Sequence, residues 1–180
     1  AASAVHQRQK GTGARVARNG PGRDPLLWGG GQEQGLRPGT LAVPLIMGLA
    51  AAATLATADR AARQTRLGVL RDQLWHGLKQ RNPDLLLNGA LHPRLAHNLN
   101  ITVPGISGSR LQRALKSKLA CSSGSACSRG APSHVLRAIG RNRSEAEASL
   151  RLSLGRDTTA TDIESAVTMV TEAIQAGAMG

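Results

Sequence analysis

The sequence predicts an α/β protein of the α+β kind, in which a small mixed sheet packs with helices. Three observations predict it. Leu67, Leu70, Leu74 and Leu78, and again Ile163, Val167, Val170 and Ile174, recur at the spacing of one helix face. Leu99, Ile101 and Val103, and likewise Leu150, Leu152 and Leu154, alternate as half-buried strands do. Strand and helix patterns then follow each other out of strict alternation, which suggests an α+β layer. With 180 residues, 41% of them hydrophobic, the chain is long enough and apolar enough to bury a core. Phe and Tyr are absent and Trp28 and Trp75 are the only aromatic residues, so that core is built from Leu, Ile, Val, Ala and Met.

Each element has its own reason. Residues 1–40 are rich in Gly, Arg and Gln, and Gly29-Gly30-Gly31 and Gly35-Leu36-Arg37-Pro38-Gly39-Thr40 read as loop backbone. Leu41 to Ala58 is nearly uncharged and approaches the length of a membrane span. Pro44 and Gly48 interrupt it and alanine is only weakly apolar, so a buried helix starting near Pro44 is expected, with no membrane contact. The Leu67–Leu78 stripe forms the next helix, with Arg60, Arg63, Arg66 and Arg71 off the stripe, and Asn82-Pro83 stops it. Leu85–Leu87 and Leu99–Val103 read as strands, and Ser109–Leu119 as a helix presenting Leu111, Leu115 and Leu119. Cys121 to Pro132 is too rich in small residues for either regular element and is a loop. Ser133 caps a helix ended by Gly140, and Ser144-Glu145-Ala146-Glu147 reads as a capping box. A strand through Leu150–Leu154 and a last helix capped by Thr158 or Thr159 complete the chain.

Charge and cysteine content bound the function. Twenty-three Lys and Arg against 11 Asp and Glu give +12, which draws polyanions and makes a basic nucleic-acid-binding fragment one reading. The arginines are scattered and stacking aromatics are almost lacking, which argues against specific nucleic-acid recognition. Cys121 and Cys127 are too few for a disulfide scaffold. Their spacing is not that of a metal site, so no resident metal is expected. Without a charged-then-apolar leader, a reducing, cytoplasmic setting with free thiols is the expectation.

The chemistry concentrates between Cys121 and Thr159. A thiol in a Gly- and Ser-rich loop is solvent-reachable, and Arg129 and the helix start at Ser133 both favour the thiolate of Cys127. From chemistry alone Cys127 is either a reactive thiol or an inert loop cysteine. Cys121, directly after Leu119-Ala120, reads as the end of an element, packed as a small hydrophobe.

Ser122-Ser123-Gly124-Ser125-Ala126-Cys127-Ser128, followed by Pro132-Ser133-His134-Val135-Leu136-Arg137-Ala138-Ile139-Gly140, resembles the active-site loop of cysteine desulfurases, pyridoxal-phosphate enzymes of the class V aminotransferase superfamily. Ser149-Leu150-Arg151-Leu152-Ser153-Leu154-Gly155-Arg156 with Thr158-Thr159, and Gly29 to Thr40, match further motifs of that family in order, covering residues 28 to about 175. The resemblance implies the C-terminal part of a type I pyridoxal-phosphate transferase fold. It divides the chain into the end of the large cofactor-binding domain (1–43), a long connecting helix region (44–80) and a small C-terminal domain (81–180) holding the cysteine loop at about 121–132.

The resemblance also assigns roles. Cys127 matches the nucleophile that takes sulfur from L-cysteine, leaving L-alanine and a persulfide, and in this group it contacts an iron–sulfur cluster transiently. Arg151 matches the arginine that grips the substrate carboxylate, a task suited to a planar fork; without the resemblance it reads as an outward-facing arginine on an alternating strand. Thr40 matches a threonine reaching the cofactor phosphate of the partner subunit in a homodimer, and His6 occupies the family's histidine position. Implied partners are L-cysteine and sulfur acceptors such as iron–sulfur scaffold proteins.

At the front of the chain the pattern breaks. Where the family places the lysine that binds pyridoxal phosphate, this sequence has Gln7, and an amide forms no Schiff base. Lys10 matches the lysine of a later turn. Turnover by this chain alone is therefore not expected, and a non-catalytic sulfur-carrier or interaction module is the alternative reading. His76, His92, His97 and His134 read as structural or surface residues.

Overall fold

The computed structural model describes residue 13, residues 24–122 and residues 132–178. Two units are present, residues 1–60 and 61–180.

In the first unit, a short 3-10 turn over Gln32–Gly35 leads to helix α1, Val43–Ala58. The turn holds Glu33, Gln34 and Gly35 at φ of 52°, 58° and 80°. Pro44 sits in the first turn of α1, where its missing N–H leaves nothing unpaired. Thr54 and Thr57 hydroxyls donate to the carbonyls of Ala50 and Ala53 at 3.1 and 3.0 Å, keeping their polar atoms paired against their own helix. The sequence predicts a buried helix here, and the structure corrects this: α1 forms but buries none of its residues, with Met47 64% and Leu55 61% exposed. Apolar composition sets the helix; burial requires a partner surface, which the described residues do not give it. Among the described residues, no single helix is long and apolar enough to cross a membrane.

The second unit carries the core. Helix α2, Arg60–Arg81, presents Leu67, Leu70, Leu74 and Leu78, all buried as the stripe predicts. Three strands follow in a sheet of order β1-β2-β3: β1 Leu86–Leu87, β2 Asn98–Thr102 and β3 Ser149–Ser153. Both pairings are antiparallel, so the sheet is not mixed as expected. Period-two alternation identifies a strand but carries no information on its partner's direction. One sheet face carries the buried Leu99, Ile101, Leu150 and Leu152.

Helix α3, Gly108–Leu115, buries Leu111 and Leu115 and ends four residues sooner than predicted. The short helices α4, His134–Ala138, and α5, Arg143–Glu147, lead into β3. Ser133 caps α4 as expected, accepting the Leu136 N–H at 3.4 Å. The capping box of α5 is not Ser144–Glu147. Asn142 is the cap, with its Oδ1 accepting the Glu145 N–H and Glu145 Oε2 accepting the Asn142 N–H, each at 2.9 Å. Helix α6, Ala160–Ala178, buries Ile163, Val167 and Val170, while Ile174 packs against the core from its margin. Thr159 caps α6. Its N–H and hydroxyl donate to Asp162 at 2.8 Å, and these bonds hold the Asp162 carboxyl below the usual carboxylate range. Gly77 lets α2 and α6 approach closely, since a Cβ there would stand 3.0 Å from Val167 Cγ2.

Candidate functional site

The face of the sheet opposite the leucines is polar, and its residues line up across four neighbouring strand segments. Antiparallel partners share a face, so the register sets the line. Asn100 of β2 lies opposite Arg151 of β3. Beyond β3, Ser122 bridges to Arg151 from the other edge: the Ser122 N–H donates to the Arg151 carbonyl at 3.1 Å and the Arg151 N–H to the Ser122 carbonyl at 2.6 Å. On the opposite side Asn88, one residue past β1, donates its N–H to the Asn100 carbonyl at 2.9 Å. The row therefore runs Asn88, Asn100, Arg151, Ser122. It begins 4% exposed at Asn88 and ends at the last described residue before the Cys127 segment.

The buried end is fully hydrogen-bonded. Asn88 Oδ1 accepts from Arg141 Nε at 2.6 Å and Thr102 Oγ1 at 3.0 Å, and Asn88 Nδ2 donates to Asn100 Oδ1 at 2.7 Å and Ser149 Oγ at 3.2 Å. The Thr102 and Ser149 hydroxyl oxygens lie 2.8 Å apart, and Ser149 Oγ donates to the Glu145 carbonyl at 2.7 Å. Arg141 also donates from Nη2 to the Leu87 carbonyl at 2.8 Å. Arg141 lies just past α4, so this bond ties the helix that follows the cysteine segment to the sheet, while Ser122 ties the chain that precedes it. Described chain on both sides of residues 123–131 is thereby hydrogen-bonded to the sheet.

Arg151 is exposed on this face, and among the described residues its guanidinium makes no hydrogen bond or ion pair. Cys121 is half-buried and packs against the core, as predicted. Burial pushes its thiol pKa up. The sign follows: the folded state keeps the thiol protonated, so any stability from this shift is present below the unfolded value of about 8.5 and is lost as pH rises through the higher folded value. Alkylation of Cys121 by iodoacetamide should accordingly reach half its maximal rate at a higher pH than a cysteine in an unstructured peptide, as read by mass spectrometry of quenched time points. A midpoint at or below the peptide's would contradict this placement. An open cleft of about 490 Å³ beside Cys121 is edged by Arg113 and Lys116.

Other expected site residues fall elsewhere. Cys127 and His6 lie outside the described residues. Thr40 is exposed in the first unit, directly after Gly39 at φ 98°. That turn is pinned by Arg37 Nη1 donating to the Gly39 carbonyl and by the Gly39 N–H donating to Gln32 Oε1, each at 3.1 Å. Residues 24–60 contain no lysine to hold a pyridoxal aldehyde. Among the described residues no three His, Cys, Asp or Glu side chains gather to hold a metal. His76 is exposed, with Nδ1 at 2.7 Å from the Asp72 carbonyl, and His92, His97 and His134 are exposed.

Sequence reasoning missed Asn88, Asn100, Thr102, Ser149 and Arg141. Asn98, Asn100 and Thr102 at alternate positions, and Ser149, Arg151 and Ser153 likewise, did signal a polar strand face.

Comparison with known proteins bears directly on this arrangement. The family model "Aminotransferase class-V" matches residues 27–165. The chain belongs to the aminotransferase class-V family. Its similarity within that pyridoxal-phosphate-dependent family runs to the cysteine desulfurases. It is 41% identical over 169 residues to the cysteine desulfurase IscS of Shewanella baltica strain OS155, covering 92% of this chain and 41% of that protein. Among solved structures, a NifS-like protein superposes with a TM-score of 0.75 at 30% identity, covering 88% of this chain and 40% of that one. A NifS-like protein from Rickettsia africae superposes with a TM-score of 0.74 at 27% identity, covering 84% and 40%. DndA from Streptomyces lividans gives 0.57 at 37% identity, covering 72% and 36%. The chain thus spans about two fifths of the length of the class-V proteins it matches. Its fold is the corresponding part of theirs: helices around a small antiparallel sheet.

Proposed function

We propose that this chain supplies the carboxylate-holding and sulfur-accepting residues of a cysteine desulfurase. Arg151 takes the substrate α-carboxylate in a two-pronged charge-assisted contact. The Cys127 thiolate attacks the sulfur of L-cysteine; a new S–S bond forms, the substrate C–S bond breaks, and the substrate carbon gains a proton to leave L-alanine. The bound pyridoxal phosphate of such enzymes supplies the electron sink for that bond cleavage. The persulfide then passes its outer sulfur to an acceptor protein, an iron–sulfur scaffold being the kind we favour, in a reducing cytoplasm that keeps both thiols free. In a homodimer Thr40 donates to the partner subunit's cofactor phosphate.

The observation that supports this reading is the bridge from Ser122, the last described residue before Cys127 in the sequence, to Arg151. Gln7 adds a restriction: the chain alone lacks the amine at that place, which favours sulfur acceptance over independent turnover. Purified chain mixed with pyridoxal phosphate and L-cysteine is expected to show no absorbance band of protein-bound pyridoxal and to form no alanine. A band together with Cys127-dependent alanine would show that another lysine has replaced the missing one, and the restriction from Gln7 would fall.

A further inference from the structure

The amide of Asn100 has its orientation fixed by a chain of obligate donors. An arginine side chain has no acceptor, so Arg141 Nε, 2.6 Å from Asn88, must face Oδ1. Asn88 Nδ2 then faces Asn100 and Ser149, and the atom of Asn100 that meets it at 2.7 Å must be the acceptor Oδ1. Asn100 Nδ2 is left over, and among the described residues its two N–H donors have no partner. Asn100 is only half-buried, and it stands directly opposite Arg151 on the same face, where paired Cβ atoms lie about 4.5–5.5 Å apart. The row therefore places an arginine and an amide with free N–H donors at directly opposed positions of one face, with the amide locked from behind.

We propose that Asn100 is a second substrate-binding residue, whose Nδ2 donates beside Arg151 to the α-carboxylate of the amino-acid substrate. This rests on the reading of Arg151 given above. A carboxylate carries four lone-pair sites, so an oxygen shared between guanidinium and amide fixes its tilt as well as its position. Asn88, Thr102, Ser149 and Arg141 act through Asn100 as positioning residues. They ensure that the free atom is a donor, because an amide rotated by half a turn would present an acceptor and repel the carboxylate.

The test uses the whole chain labelled with nitrogen-15, in reducing buffer, titrated with L-cysteine and separately with L-cysteine methyl ester, which lacks the carboxylate. The Asn100 side-chain NH2 and the Arg151 Nε–H resonances are both expected to move with L-cysteine and to stay with the ester. Asn100→Asp keeps the shape and the acceptor for Asn88 but replaces the donor with a charged oxygen. It should weaken L-cysteine binding roughly tenfold or more while leaving the circular dichroism spectrum unchanged. If Arg151 responds and Asn100 does not, or if the folded Asn100→Asp binds as well as the parent, the inference about Asn100 is overturned and the reading of Arg151 stands. If neither residue responds, both fall.

Discussion

Asn88→Leu is expected to destabilise the second unit by about 3–4 kcal/mol. The change removes an acceptor that Arg141 and Thr102 share and a donor that Asn100 and Ser149 share, all at a position only 4% exposed. Leucine fills a similar volume, so the loss is one of polar pairing and not of packing. The freed Thr102 hydroxyl can turn to Ser149 Oγ, 2.8 Å away, and Arg141 keeps Leu87, which holds the effect below that of a fully stranded charge. Urea unfolding should show a lower midpoint with an unchanged slope. A loss under about 1 kcal/mol would mean that solvent already satisfies this cluster.

Gly108→Ala should be nearly as damaging, by about 3 kcal/mol, although alanine is the better helix former by about 1 kcal/mol. The first residue of α3 lies against the junction of α5 and β3, and a Cβ on Gly108 would stand 1.8 Å from the Glu147 carbonyl oxygen and 2.8 Å from its carbon. Both atoms are backbone, so relief requires α3 to separate from the junction, opening the contacts of Leu111 and Leu115. Gly68 in α2 provides the opposite sign: a Cβ there meets nothing within 4 Å, so Gly68→Ala should stabilise by about 0.5–1 kcal/mol. Thermal unfolding of the two variants side by side checks both signs at once.

What could be read from the sequence was local. The leucine stripe of α2, the core face of α6 and the alternation of β2 and β3 each repeat within one element, so they show without a partner. The Ser133 cap was legible for the same reason. The direction of strand pairing, the burial of α1 and the polar row were not. Each depends on residues far apart in the chain: Asn88 meets Ser149 across 61 positions, and Arg151 meets Ser122 with α4 and α5 between them in the sequence. The capping box of α5 was misplaced because Ser144 and Asn142 both satisfy the residue preference, and only the backbone shows which one starts the helix. For the site, motif resemblance pointed to Arg151 and Thr40, whereas Asn100 emerges only once the register is known.

The most direct test is to find where the sulfur goes. The chain is incubated with a catalytic amount of a full-length cysteine desulfurase and L-cysteine, without added thiol reductant, and digested under non-reducing conditions for mass spectrometry. The account predicts a gain of one sulfur atom on the Cys127 peptide, none on the half-buried Cys121, and no gain at either in Cys127→Ser. A folded chain in which Cys127 stays unmodified, or in which Cys121 takes the sulfur equally, would contradict it.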